Sequence, residues 1–461
     1  MVDINTTNAT IKSITQQLQT NPGLPFKDLL PNEIIEQALL DVNYRNRTYP
    51  PSMILWCMLS QALDEDQSLQ KVVLRVVATK IESQENIPSS NTAAYSQARS
   101  RLPVSVLETL FEQVAANATS EILPEWTWRG RFLKLIDGST LSMPDTPENQ
   151  LEYPQPKTQK KGIGFPLARF VVIICFITGV VLKIAKGSYT GKETGEHALL
   201  RQILDAFNPG DIALADTYYP SFFLIFELMK RGIDFVFPAH AARHCDFRTG
   251  IRLGATDHIA TWNKPRKPEW MSQEEYDNCP ESIQVRETKV SNEHQGFRTI
   301  TRILVTSFLN PKEVSPKDLS DLYSFRWFVE VDLRSLKTVM HMDVLRSKTP
   351  EMIDKEILSR LLAYNLIRQV MIHAATVHSK IPRQLSFKLA LRAVEIFRQH
   401  GILTIANEFA YNALLTAIAS KEVGNRPDRY EPRAIKRRPK PHKRLQKPRG
   451  FYKLTITGKA A

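Results

Sequence analysis

The chain has 461 residues and is 43 % hydrophobic, 9 % aromatic and 24 % charged. These are the proportions of a globular protein with room for about three domains of roughly 150 residues, not of a disordered chain. The net charge is +13, but 14 Lys and Arg against 3 acids lie from Lys421 onward, so this last stretch carries +11 and everything before it only +2.

Residues 1–128 are expected to form an all-helical head. Ile34 to Leu40 follows Pro31-Asn32, Met53 to Leu63 opens after Pro50-Pro51-Ser52, and Gln67 to Ile81 is a third helix. The N-cap cluster Ser89-Ser90-Asn91-Thr92 precedes Ala93 to Arg101, which Pro103 stops, and Val104 to Ala116 follows. Short helices joined by tight turns suit DNA binding, and equally any small helical domain.

At about Arg131 the pattern changes to mixed α/β. Phe132 to Ile136 is a short predicted strand that ends at Asp137-Gly138-Ser139-Thr140. Phe170 to Thr178 and Val180 to Ala185 form a buried hairpin around Thr178-Gly179. The longest largely apolar run, Phe170 to Leu182, has 13 residues, against the roughly 20 of a membrane-spanning helix. A helix from Glu193 to Phe207, a strand from Asp211 to Ala215 that delivers Asp216, a helix from Ser221 to Arg231 and a strand at Phe235-Val236-Phe237 complete the order β-β-β-α-β-α-β. The first part of the core is thus 129–240. Residues 241–297 are polar, rich in Pro and Trp, and predicted to be a β-rich insertion. The core resumes over 298–380, with a strand from Thr299 to Phe308 and helices from Pro316 to Met340 and Pro350 to His378. Helices are expected over 381–420, from Gln384 to about Ser420. The tail, 421–461, holds ten basic residues and no acid between Arg433 and Lys453, interleaved with Pro439, Pro441 and Pro448. Such a segment cannot bury enough apolar surface to fold alone and is suited to a polyanion.

Asp137 and Asp216 each sit at the end of a predicted buried strand, where a rigid element can present a carboxylate at a sheet edge. From Tyr323 to Lys337 the polar residues Tyr323, Arg326, Glu330 and Lys337 fall at about 0°, 300°, 340° and 320° around one helix, and Asp332 at about 180°. One narrow face therefore gathers a phenol, a guanidinium, a carboxylate and an ammonium. The plain reading is a surface ion pair between Arg326 and Glu330, but a solvated face has little use for the neighbouring Tyr323 and Trp327.

The sequence here resembles the DDE transposases of bacterial insertion sequences, in the branch whose glutamate lies in a Tyr-x2-Arg-x3-Glu-x6-Lys signature. Tyr323, Arg326, Glu330 and Lys337 match that spacing without a gap, Leu135 to Thr140 resembles the first-Asp motif, and Ala215-Asp216 the second. Asn91 to Pro103 is similar to the helical head that precedes many such domains. The likeness spans roughly residues 90–420. One departure is Thr217, where many members have Arg or Lys; it puts a DNA contact in doubt, not a ligand.

The resemblance implies a retroviral-integrase-like (RNase H-like) α/β core with a β-rich insertion, a helical N-terminal domain and a helical C-terminal region. It also implies catalytic and metal-binding roles for Asp137, Asp216 and Glu330. Two Mg²⁺ ions, or Mn²⁺, would be bound there, because hard ions take carboxylate oxygens and serve in-line phosphoryl transfer. Tyr323, Arg326 and Lys337 would contact DNA. Trp327, beside Arg326, is suited to stack on a flipped base. The implied function is transposition: binding terminal inverted repeats, cutting, and joining 3′ ends to target DNA as a homodimer in a paired-end complex. A nuclease of the same fold, or a non-catalytic nucleic-acid-binding protein on a decayed scaffold, is the rival.

Other candidates are weaker. Asp145 is flanked by Pro144 and Pro147 and reads as a turn or cap. His240, His244, Cys245, His258 and Cys279 lack zinc-site spacing. The four cysteines, Cys57, Cys175, Cys245 and Cys279, form no CxxC, and Met1 to Ser13 has no basic-then-apolar signal order. A reducing compartment is expected: bacterial cytoplasm, in association with the nucleoid and with no membrane. Gly187 to Gly195 lacks nucleotide-loop spacing, and Trp262 and Trp270 read as small-core aromatics.

Overall fold

The computed structural model describes residues 29–44, 48–82, 84–240, 242–292, 300–400 and 408–423, with Phe26, Gln446, Lys447 and Phe451. Apart from residues 421–423 and those last three positions, the expected basic tail lies outside the described residues, as do residues 293–299 of the insertion.

Nine strands form one mixed sheet: β1 Leu133–Ser142, β2 Leu167–Cys175, β3 Val181–Ser188, β4 Ile212–Leu214, β5 Asp234–Pro238, β6 Ile251–Gly254, β7 Asp257–Asn263, β8 Ser282–Asn292 and β9 Ile300–Thr306. Their order is β3-β2-β1-β4-β5-β9-β8-β7-β6. β1, β4 and β5 are parallel neighbours, and the flanking pairings are antiparallel. The insertion is β-rich as expected, and its strands extend the core sheet through the pairing of β8 with β9.

Strand alternation sorts side chains onto two apolar layers. Leu133, Leu135, Phe170, Val172 and Leu214 belong to one layer, shared with the long helix Pro350–Val377. Ile136, Val171, Ile173, Ala213 and Phe235 belong to the other, with residues of the helices Glu196–Arg201 and Phe222–Lys230. The head helices Pro51–Leu63 and Val104–Ser120 pack on Pro350–Val377 within the first layer, so head and core share one interior. Twenty of the 28 residues of Pro350–Val377 are buried, among them Lys355, Arg360 and Arg368. Such an all-round buried helix is the axle on which the other elements are mounted.

Three expectations need correction. The helix predicted from Glu193 to Phe207 is limited to Glu196–Arg201 and a 3₁₀ turn at Leu204–Ala206; Glu193 has φ 55°, a left-handed conformation that no helix interior accepts. The helix expected over Pro316 to Met340 is two helices, Pro316–Ser324 and Trp327–Arg334, followed by a π turn, Ser335–Val339. The break at Phe325 and Arg326 uses tight i→i+3 bonds, to Leu322 and Tyr323. Phe325 stacks on Phe176 with ring centroids 4.5 Å apart, so a tertiary contact sets the bend and not a proline or glycine. The third concerns Asp137. It lies in the middle of β1, paired with Val172, not beyond its end.

Candidate functional site

β1 pairs with β4 only over Leu133 to Leu135, because β4 ends at Leu214. From Asp137 onward that flank of β1 has outrun its parallel neighbour, and Asp216 follows two residues after β4. Asp137, within β1, and Asp216, in the loop beyond β4, therefore lie where β4 leaves the flank of β1 unpaired. Asp216 Oδ1 accepts the backbone N–H of Tyr218 at 2.8 Å, which folds the loop back on the strand end.

Trp327–Arg334 brings the third acid. The guanidinium of Arg326 donates to Asp137 Oδ2 at 3.1 Å and to Glu330 Oε1 at 2.7 Å, joining two of the expected acids through one cation. Burial pushes the Asp137 carboxyl from the ordinary 3.8 to about 6; Arg326 and the Gly138 amide pull it down, and Asp216 and Glu196 push it up. For Arg326 burial opposes the charge, but Asp137, Tyr323, Glu330 and Asp216 outweigh it and the guanidinium is held more firmly charged. Its Nε is buried and has no hydrogen-bond partner. Among the described residues no three His, Cys, Asp or Glu side chains are gathered closely enough to hold a metal ion; the arginine occupies the middle.

Lys337 reaches the site from the π turn. Its Nζ donates to Ser139 Oγ at 2.9 Å, two residues beyond Asp137 on β1. The backbone of Ser142 bonds Asp343 and Leu345, so the segment after the π turn is laid beside the C-terminal end of β1. π turns recur at functional positions because the extra residue shifts the side chains that follow. Tyr323 is 7 % exposed, its ring under the Arg302 guanidinium at 5.3 Å, and so is less accessible than Arg326 or Lys337. Trp327, next to Arg326 in the chain, is 58 % exposed.

Asp332, two residues after Glu330, is fully buried. Arg383 donates to both its oxygens at 2.7 and 2.8 Å, and Arg368 to Oδ1 at 2.6 Å. Arg383 also bonds the carbonyls of Cys175 and Phe176, at the turn between β2 and β3. The glutamate's helix is thereby pinned to the sheet from behind. The helical spacing had placed Asp332 opposite Glu330; its role as an anchor needs partners 36 and 51 residues away, which no local pattern reveals.

Glu196 is the acid that the sequence reading missed. It sits at the first turn of Glu196–Arg201, accepts the Tyr219 hydroxyl at 3.2 Å, and lies against Gly138. The only signal available was a Glu-His pair opening a helix, which is too common to single out.

The remaining candidates lie elsewhere. Asp145 Oδ1 accepts from Gln150 at the short helix Pro147–Glu152, a turn and cap setting. His258 and Trp262 both hydrogen-bond the buried Glu287 of the insertion, at 3.1 and 2.8 Å. Trp270 packs on Phe223 and lies under Arg201.

The mixed sheet thus carries Asp137 within β1, past the end of β4, and Asp216 two residues after β4, with Glu330 on a helix joined to Asp137 through Arg326; this is an arrangement of the DDE type. The chain belongs to the transposase DDE-domain family: that family's model matches residues 129–366, and the insertion element 4 transposase N-terminal model matches residues 24–112. It is 28 % identical over 433 residues to the transposase InsG of insertion sequence element IS4 from Escherichia coli K12, covering 91 % of this chain and 93 % of that protein. The putative transposase InsZ of the same organism is 26 % identical over 212 residues, 45 % of this chain and 68 % of that one. A piggyBac transposase synaptic complex with hairpin DNA has 9 % identity and a TM-score of 0.40, covering 88 % of this chain and 86 % of that one; at that level the likeness carries no argument. Membership of this family makes the chain a DNA transposase, an enzyme of DNA cleavage and strand transfer, and its core the RNase H-like one. Among the described residues no helix is long and apolar enough to cross a membrane.

Proposed function

We propose that the chain binds the terminal inverted repeats of its own element, cuts at them and joins the 3′ ends to target DNA, using Asp137, Asp216 and Glu330 as the catalytic acids and two Mg²⁺ ions held by them. The observation that carries this is the Arg326 guanidinium shared by Asp137 and Glu330 beside Asp216. Two carboxylates already converge on one positive charge, and an all-oxygen donor set suits a hard divalent ion. Bound there, such an ion supplies Lewis-acid stabilisation of the phosphoryl oxygens and an activated water or 3′-hydroxyl.

The protein's own groups do the rest. Asp137, rigid within β1, and Asp216, fixed by the Tyr218 amide, hold their carboxylates at a constant separation. When Arg326 gives up its place between the acids it needs another anion, and a DNA phosphate is the one at hand. The partnerless Nε is a donor left for it. Lys337, beside Ser139, is a second cation for the same strand, and Tyr323 lies one turn before Arg326. Trp327 offers an exposed ring for a base displaced at the cut. The helical head would read the repeats, the basic tail would grip phosphates without sequence preference, and two copies would pair the ends.

The test uses the full chain, a labelled terminal-repeat duplex and a target plasmid, with Mg²⁺ or with chelator. Cutting and joining should both require Mg²⁺ and vanish in Asp137→Ala, Asp216→Ala and Glu330→Ala while end binding persists. Cutting without joining would make the chain a nuclease. End binding alone would make it a non-catalytic DNA-binding protein.

A further inference from the structure

β1 presents Asp137 to one face of the sheet and its neighbour Gly138 to the other. On that second face the place of a Gly138 side chain is taken: a Cβ built there would lie 2.5 Å from Glu196 Cδ and 2.8 Å from Oε2. The same oxygen, Oε2, accepts the hydroxyl of Tyr219, a fully buried residue three positions after Asp216. His197, next along the helix, donates from Nε2 to the carbonyl of Tyr218 at 2.9 Å; a carbonyl can only accept, so this nitrogen carries the proton. Arg169 on β2 donates to the Thr194 carbonyl at 3.2 Å and steadies the approach to the helix. Two consecutive residues, Glu196 and His197, thus hold the loop after β4, and one of them also rests on β1 beside the first aspartate.

We propose that Glu196 is a positioning residue for the DNA chemistry: its carboxyl group, wedged between Gly138 and Tyr219, fixes the distance between Asp137 and Asp216, and residue 138 is glycine to make room for it. This rests on the assignment of Asp137 and Asp216 as catalytic acids. The wedge acts from the face of the sheet opposite Asp137. It leaves that carboxylate to Arg326 on the other face and sets how far β1 stands from the loop after β4.

The proposal predicts coupling between two positions 58 apart in sequence. Full-length wild type, Glu196→Ala, Glu196→Gln, Gly138→Ala, Gly138→Ala/Glu196→Ala and Asp216→Asn are compared by Mn²⁺ binding, followed by the EPR signal of free Mn²⁺, and by cleavage of the end duplex. Melting temperature and end binding are followed alongside. Outer groups that orient metal ligands typically contribute about 10–100-fold in affinity or rate. Glu196→Ala should lose that much in Mn²⁺ affinity and cleavage with end binding and melting unchanged. Glu196→Gln, which fills the wedge and still accepts from Tyr219, should recover most of it. Gly138→Ala should lose a similar amount by displacing the carboxyl, and the double variant should be no worse than Glu196→Ala. If Glu196→Ala does not fold, Tyr219→Phe removes only the hydroxyl and should show the same loss in smaller degree. Losses that multiply in the double variant, or full Mn²⁺ affinity in Glu196→Ala or Tyr219→Phe, overturn the wedge. If in that case Asp216→Asn still abolishes Mn²⁺ binding and cleavage, the catalytic assignment stands without it. If Asp216→Asn is active, both fall.

Discussion

Replacing Asp137 by asparagine should make the folded chain more stable at neutral pH while destroying its chemistry. In the folded protein burial raises this carboxyl from 3.8 to about 6. An acid whose folded value lies above its unfolded one weakens the fold only where it must ionise. Below about pH 4 both states are mostly protonated and the penalty is small; it grows between pH 4 and 6 and is complete above. At about 1.4 kcal/mol per pH unit, the full penalty is roughly 3 kcal/mol at pH 7.5 and roughly 1 kcal/mol at pH 4.5. Asparagine cannot ionise and so avoids it. The shift is about 2–4 °C per kcal/mol for 150–250 residues and falls inversely with size; since head and core here share one interior about twice as large, melting should rise by roughly 3–6 °C at pH 7.5 and by a third of that at pH 4.5. Relaxation around the side chain will reduce both figures and leave their ratio. The assay is differential scanning calorimetry in chelator across this pH range. Adding Mg²⁺ should narrow the gap at pH 7.5, because the ion stabilises only the wild type. An equal rise at both pH values, or a less stable variant at pH 7.5, would refute the burial argument.

Asp332→Ala should cost about 3–5 kcal/mol in denaturant unfolding, since it strands the buried Arg368 and Arg383; a loss under about 1 kcal/mol would mean that the anchor is dispensable. Arg326→Ala and Lys337→Ala should each reduce the salt slope of end binding by about 1, and an unchanged slope with normal cleavage would assign them to a surface ion-pair face. Removing Arg326 should also lift the Asp137 carboxyl further above about 6, so that Mn²⁺ binding in Arg326→Ala falls off at a higher pH than in wild type. Truncation to residues 1–420 should flatten the salt slope by about 4–5 if half of the ten charges engage, and weaken binding to end and scrambled duplexes alike. A truncated chain that kept the full slope, or lost its preference for the ends, would reverse the roles given to head and tail.

What the sequence alone settles here is local. Apolar runs bounded by turn residues placed β2, β3, β4 and β5, and a cluster of capping residues with a proline stop placed the helix Ala93–Arg101, because both are signals carried by neighbours in the chain. The signature from Tyr323 to Lys337 was legible for the same reason: Arg326 and Glu330, four apart, do form their pair. Its geometry was legible only in part. The bend at Phe325 answers to Phe176, about 150 residues away, and the π turn changes the pitch before Lys337, so only the fold decides that Lys337 meets Ser139. Asp137 was expected at a strand end because Gly138 looks like a stop. It is instead a strand residue whose β4 flank is left unpaired, because β4, the parallel neighbour, is three residues long and ends first. Glu196 against Gly138, and Asp332 between Arg368 and Arg383, belong wholly to the tertiary structure. Each joins groups that share no periodic spacing, and only packing the sheet between its two helical layers brings them within hydrogen-bond reach or van der Waals contact.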